Sequence, residues 1–201
     1  MRHSRDPIDP SAFFRLATWF EGSLVAIAAV IGWLGGLSPW QDLKLDPLGL
    51  GLGLAGTLPL YLMFLVTYRA PLRPLQQIHD FLVERMGPLL NACGKPQLAY
   101  LALLAGFTEE TLFRGVLQPL MELHWGWAGG LIASNVMFAL AHAITRTYAL
   151  LAGLTGIYLG LVLDLTGERN LLIPMAVHAL YDFLAFLAVA ETYRRNRSRS
   201  F

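Results

Sequence analysis

The chain has 201 residues, 55% of them hydrophobic and 14% charged, with a formal net charge of +1. Soluble domains carry roughly 25% charged residues, so this composition excludes an ordinary soluble domain and, through its near-zero charge, a nucleic-acid partner. The long apolar runs, with a mean hydropathy of +0.50, give a polytopic membrane protein instead.

The single cysteine, Cys93, excludes an internal disulfide framework and a cysteine-rich zinc site, and reads as a loop residue. No cleavable signal peptide is expected: Asp6, Asp9 and two prolines precede the first apolar run, and no A-x-A-like site closes a short apolar core.

Met1 to Ser11 reads as a polar tail, and Ala17 to Leu37 as the first span. That span is stopped by Gly35-Gly36 and Ser38-Pro39, with Trp19, Trp33 and Trp40 at interfacial positions. Leu48 to Val66 is the second span, and its glycines at 49, 51, 53 and 56 predict close helix contact. Between Thr67 and Pro96, Leu75, Ile78, Leu82, Met86 and Leu89 recur at helical spacing. Gln76, Gln77, His79, Asp80 and Glu84 lie opposite them. This predicts an amphipathic helix on the membrane surface or beneath the bundle, with His79 on its wet face.

Gln97 to about Leu117 is the third span, ended by Pro119. Trp125 to about Ile144 is the fourth, and Tyr148 to Leu165 the fifth, with Gly153, Gly156 and Gly160 for tight packing. Leu171 to Ala190 is the sixth, followed by an arginine-rich tail from Tyr193. The fold class is therefore all-α, a polytopic helical bundle of about six transmembrane helices plus one amphipathic cytoplasmic helix. It forms one integral-membrane domain over 1–201.

With both termini inside, twelve Lys and Arg lie on the cytoplasmic side, and only Lys44 and Arg169 lie outside. The positive-inside rule thus gives a multi-pass protein of the cell membrane with both termini cytoplasmic and with Leu43 and Gly167 on the far side.

The third span contains Glu109, Glu110 and Arg114. Each such charge costs roughly 2.5–3.5 kcal/mol at mid-bilayer on insertion scales, so partners are required. Glu110 and Arg114 are i,i+4, the favourable order for an ion pair. Adjacent helical residues are about 100° apart, so Arg114 does not serve both carboxylates equally and Glu109 remains unexplained. Phe138 and His142 are i,i+4 on the fourth span, with Asn135 one turn back, and His178 and Asp182 are i,i+4 on the sixth. His142 falls near the cytoplasmic end of its span, and Glu109 and His178 fall deeper.

A Glu, two His and an Asp converging from three helices can activate a water and stabilise an oxyanion. They can also bind zinc, with Glu109, His142 and His178 as ligands and Asp182 as a fourth, although no H-E-x-x-H helix is present. The residues alone do not rank these two chemistries.

Glu-Glu-x-x-x-Arg at 109–114, Phe-x-x-x-His at 138–142 and His-x-x-x-Asp at 178–182 occur in this order inside apolar helices. In this the chain resembles the CPBP family: the type II CAAX prenyl endopeptidases and their bacterial relatives, also called Abi proteins. The resemblance implies an intramembrane endopeptidase with its catalytic core at about 97–190. In it Glu109 and His142 activate the water, His178 and residue 182 form the oxyanion hole, and Glu110 and Arg114 hold the site together. Phe138 and Asn135 are supporting residues.

The resemblance favours a glutamate mechanism without a metal; zinc is the alternative. The partners it implies are the lipid bilayer and a membrane-associated peptide or protein substrate. One departure is Asp182 where the family's third motif often ends in Asn, because an ionised Asp accepts hydrogen bonds and donates none. Two other classes compete with the endopeptidase. One is a non-catalytic scaffold or immunity protein of the same fold. The other is a proton-coupled transporter, disfavoured by the lack of repeat symmetry and of paired broken helices.

Overall fold

The computed structural model describes residues 9–199; the tail positions before and after these, with Arg2 and Arg5, lie outside the described residues. Among the described residues the regular structure is entirely helical. The elements are α1 (Pro10–Leu34), α2 (Pro47–Arg69), α3 (Arg73–Phe81), a π-helical turn (Leu82–Met86) and α4 (Gly87–Ala92). They continue with α5 (Lys95–Leu112), a second π-helical turn (Phe113–Leu117), α6 (Gln118–Ala141), α7 (Arg146–Val162) and α8 (Leu172–Ser198). The chain is an all-α membrane bundle, with α1, α2 and α8 long and apolar enough to cross a bilayer and α7 a shorter apolar helix. In α5 the same Glu109 and Glu110 that break its apolar run are turned inward and buried.

α8 is the central helix, packing against α2, α4, α5 and α7, while α1 packs on α5 and α6 on α7. The apolar stripes behind these contacts are local in sequence. Leu60, Leu159, Val162, Ile173 and Val177 knit α2, α7 and α8, and Ala28, Leu112, Phe113, Val116 and Phe138 join α1 to α5 and α6. The tightest approach is between α5 and α8. A Cβ on Gly106 would lie 2.8 Å from the Ala179 nitrogen and 2.9 Å from the Met175 carbonyl oxygen, so only glycine lets the backbones meet there. In α2, Gly49, Gly53 and Gly56 face neighbours as expected, and Gly51 faces open space.

Three sequence expectations change. First, Pro119 does not end the third span. It sits in the first turn of α6, directly after a π-helical turn where the Gln118 N–H already bonds the Phe113 carbonyl. The ladder is rearranged there, so the missing proline N–H breaks no regular bond. The helix instead changes direction at Gly126, whose φ of 69° is open to glycine at little cost. Second, His79 is not on the wet face. It is half-buried, its ring 4.7 Å from that of Tyr68. Third, α8 runs on to Ser198, well past Ala190, so part of the arginine-rich tail is helical. Cys93 does lie between helices, but it is buried with Leu90, Leu98, Val189 and Ala190.

The two loops expected on the far side are tied together. The Leu171 N–H donates to the Asp42 carbonyl (2.8 Å), Asn170 Nδ2 donates to the Asp46 carboxylate (2.6 Å), and Lys44 Nζ lies 2.7 Å from Glu168. Asp46 also caps α2 by accepting from the Gly49 N–H at 2.7 Å. Leu43 packs with Leu163, Leu171 and Met175, so the segments around Leu43 and Gly167 share one end of the bundle. The 73–92 stretch packs against the opposite end of α8.

Candidate active site

The kink at Gly126 sets the register of the site. Glu109 is 17 residues before Gly126 and His142 is 16 residues after it. At 1.5 Å per residue both lie about 25 Å back from the turn. The two residues therefore reach the same depth, which boundaries drawn at Pro119 had placed apart. His142 Nε2 lies 3.6 Å from Glu109 Oε2, an oxygen with no hydrogen-bond partner among the described residues. His142 is the C-cap of α6, and its Nδ1–H donates to the Phe138 carbonyl oxygen at 2.9 Å. That bond fixes the tautomer, leaving Nε2 bare and aimed at Glu109. The ring is also stacked on Phe138, with centroids 4.3 Å apart.

Glu110 faces a different set of neighbours. Its Oε1 accepts from Arg114 Nη1 at 3.0 Å and from His178 Nδ1 at 2.8 Å. The Arg114 side chain is fully buried and is held from three helices. Nη2 donates to Asn135 Oδ1 (3.0 Å) on α6 and to the Gly156 carbonyl (2.6 Å) on α7, and the guanidinium sits 4.8 Å over the Phe138 ring. A Cβ on Gly156 would come within 3.1 Å of Arg114 Nη2 and strike Asn135 Oδ1, so the glycine makes room for this network. On α8, His178 Nε2 lies 3.6 Å from Asp182 Oδ2. Asn135, Phe138 and Arg114 thus form a buried platform, and Glu109, His142, His178 and Asp182 line a cavity of about 350 Å³ above it.

That cavity has two ends. Its polar wall is shared by α5, α6, α7 and α8, and its apolar wall includes Phe64 of α2, Ile78 of α3 and Met86 of the first π-helical turn. The amphipathic stretch therefore contributes its apolar face to the site itself.

Three residues of this neighbourhood escaped the sequence reading. Glu21 on α1 accepts a 2.7 Å hydrogen bond from Thr108 Oγ1, next door to Glu109. Its signal was present, a lone carboxylate within the first expected span, and the argument that singled out Glu109 applies to it. Tyr148 at the start of α7 and Tyr181 within α8 also line the cavity; a tyrosine at a helix start reads as an interfacial anchor, and one inside an apolar span reads as packing.

Among the described residues, no three His, Cys, Asp or Glu side chains are grouped as ligands for a metal ion. Both nitrogens of His178 face carboxylates, and one nitrogen of His142 is taken by a carbonyl.

Residues 94–184 match the family described as type II CAAX prenyl endopeptidase, Rce1-like. This segment, a little under half of the chain, is similar to the Rce1-like family. The Rce1-like segment contains the Glu-Glu-x-x-x-Arg, Phe-x-x-x-His and His-x-x-x-Asp residues, and it excludes α1 and α2. The chain is also 38% identical over 89 residues to the uncharacterized protein YpbD of Bacillus subtilis (strain 168), a match covering 43% of this chain and 42% of that protein. No solved structure matches.

The buried ion network yields a stability prediction. Glu110→Ala should leave the Arg114 guanidinium short of its charged partner in a dry setting, and Arg114→Ala should strand Glu110. Each should destabilise the protein by about 3–5 kcal/mol. Replacing both with apolar residues should recover part of that loss. Thermal unfolding of the purified variants in detergent measures it; a double variant less stable than both singles would contradict the pairing.

Proposed function

We propose that the protein is an intramembrane endopeptidase that hydrolyses a peptide bond in a membrane-associated peptide or protein. The observation that carries this reading is Glu109. Its Oε2 is buried at the cavity wall with no hydrogen-bond partner among the described residues, 3.6 Å from the bare Nε2 of His142. Two acceptors at that distance suit a water that donates one hydrogen to each. The match of residues 94–184 to a protease family supports the same reading.

In the mechanism, the water lies against Glu109 and His142. Its oxygen attacks the peptide carbonyl carbon as Glu109 takes a proton, and the carbonyl π electrons move to oxygen. His178 supplies an N–H to that oxyanion. Its Nδ1–H donates to Glu110 and its Nε2 faces the cavity 3.6 Å from Asp182, and in this mechanism Nε2 carries the proton offered to the oxyanion. Asp182 orients His178 and is not itself a donor. The tetrahedral intermediate collapses with cleavage of the C–N bond, and Glu109 returns its proton to the departing nitrogen. Glu110, Arg114, Asn135 and Phe138 hold the platform. The mechanism uses no metal.

The protein sits in the cell membrane as a multi-pass bundle with both termini cytoplasmic. The twelve-to-two distribution of Lys and Arg supports this orientation, with the tied 41–47 and 163–171 loops outside. The 73–92 stretch then lies at the cytoplasmic face, beside the cavity.

Glu109→Gln should retain wild-type thermal stability and lose nearly all cleavage of a fluorogenic prenylated C-a-a-X peptide, because the isosteric amide cannot take the proton from water. A wild-type rate for this variant would remove Glu109 as the base. Activity of the wild-type protein should survive dialysis against a chelator; loss that is restored by zinc would recast Glu109, His142 and His178 as ligands. With Cys93 replaced by Ala, Gln41→Cys and Thr166→Cys should react with an impermeant maleimide added outside intact cells. Ser198→Cys should react only after permeabilisation, and labelling of Ser198→Cys from outside would end the six-span arrangement.

A further inference from the structure

Among Glu109, His142, His178 and Asp182, acceptors facing the cavity outnumber donors. Glu109 and Asp182 carry carboxylate oxygens, and the His142 Nδ1–H is committed to the Phe138 carbonyl at 2.9 Å. His178 donates Nδ1–H to Glu110 at 2.8 Å, which leaves Nε2 as its one group facing the cavity beside Asp182. An oxyanion formed there meets one side-chain donor from this set, whereas stabilising a tetrahedral oxyanion calls for at least two.

Tyr148 fits the missing position. It stands in the first turn of α7, where its backbone N–H is fixed by Thr145 Oγ1 at 3.0 Å, so the ring is presented from a capped, rigid helix start. It lines the same cavity as the four site residues, and its charged neighbours are Asp182 and Glu109, one on each side of the site. No described residue hydrogen-bonds its hydroxyl, nor is that hydroxyl among the buried, unpartnered atoms, so it opens into the cavity. A phenol is a neutral O–H donor and enters an acceptor-lined site without adding charge.

We infer that Tyr148 is a catalytic residue whose hydroxyl, with His178, donates to the oxyanion of the tetrahedral intermediate, in the role that an ionised Asp182 cannot fill. This rests on the endopeptidase reading. The bond changes are those already given: water oxygen joins the carbonyl carbon, its proton goes to Glu109, and the C–N bond breaks as Glu109 protonates nitrogen. Tyr148 keeps its own proton throughout. Tyr181 also opens into the cavity next to Asp182, but it is a ring neighbour of Phe64 (6.2 Å, edge-on) at the apolar wall and is the internal comparison.

The test compares wild type, Tyr148→Phe, Tyr181→Phe and Glu109→Gln in detergent, using the same fluorogenic prenylated C-a-a-X peptide and a phosphinate isostere of it as an anionic tetrahedral mimic. Tyr148→Phe should lower kcat by about 10²–10³, the usual loss for one oxyanion donor, with KM within twofold. It should weaken phosphinate binding by a comparable factor and leave the melting temperature in place. Tyr181→Phe should stay within threefold of wild type. A protein carrying 3-fluorotyrosine at position 148, which keeps the ring and hydroxyl, should remain within threefold and guards against a folding defect in the phenylalanine variant. Tyr148→Phe within threefold of wild type, beside an inactive Glu109→Gln, would overturn the role of Tyr148 and leave the endopeptidase standing. So would a loss confined to Tyr181→Phe. A wild-type protein that neither cleaves the peptide nor binds the phosphinate would overturn both.

Discussion

The structure depends on how a guanidinium is kept inside an apolar bundle. Arg114 reaches Glu110 on its own helix, Asn135 on α6 and a backbone carbonyl on α7, and it lies over the Phe138 ring. Leaving a charge of this kind unpaired costs several kcal/mol, so these partners fix the relative positions of the three helices that provide them. α8 is fixed by the same carboxylate oxygen, because Glu110 Oε1 also binds His178. Glu109, His142, His178 and Asp182 are all carried on elements that this one interaction aligns.

The two neighbouring carboxylates divide the work for a geometric reason. Adjacent helical positions are about 100° apart, so one carboxylate points into the ion network and the other cannot. Glu110 has both its cationic and its imidazole partner, and it is saturated at Oε1. Glu109 is turned towards the cavity and left with an oxygen that no described residue satisfies. On the cavity wall such an oxygen is free to hold the water that the proposed endopeptidase would deprotonate. Both carboxylates keep a buried Oε2 without a hydrogen-bond partner among the described residues, so what separates them is place: Glu109 lines the cavity opposite His142, and Glu110 lies beneath it, held by Arg114 and His178.

Much of this was legible in the sequence, because membrane helices announce themselves by length and intramembrane charges by their cost. The i,i+4 spacings of Glu110 and Arg114, Phe138 and His142, and His178 and Asp182 placed each pair on one helix face; the structure brings the last two pairs to one cavity and sets Glu110 and Arg114 beneath it. What was not legible is where a helix bends. Pro119 reads as a stop, yet the preceding π-helical turn absorbs it and the bend occurs at Gly126. A π turn leaves no residue signature, because it is a property of how the hydrogen-bond ladder is shared. The His178–Glu110 contact was equally hidden: it joins residues 68 apart, and only packing of α5 on α8 through Gly106 brings them together. Glu21 was visible and passed over. It lies in the first span, outside the Rce1-like segment, and its partner Thr108 is informative only once α1 is known to pack on α5.

The cavity also explains why an amphipathic helix accompanies a membrane-embedded site. Peptide hydrolysis needs water, and bilayer hydrocarbon excludes it. On the proposed endopeptidase reading, a site must therefore open to the aqueous face while offering an apolar wall to a substrate that arrives from the membrane. The 73–92 stretch meets both demands. Leu75, Ile78 and Met86 face the cavity, and Gln76, Gln77 and Asp80 on the other side are exposed. The polar wall is then a thin layer of Glu109, His142, His178 and Asp182 between an apolar chamber and the buried Arg114 platform. In such a layer each donor and acceptor acts with little competition from bulk solvent, which strengthens hydrogen bonds to a developing charge and makes a misplaced one costly. On the proposed mechanism that sensitivity favours side chains that are held in place before substrate arrives. The His142 ring is held by its own bond to the Phe138 carbonyl, and the Tyr148 backbone by the Thr145 cap, so the imidazole and the start of α7 are positioned in advance.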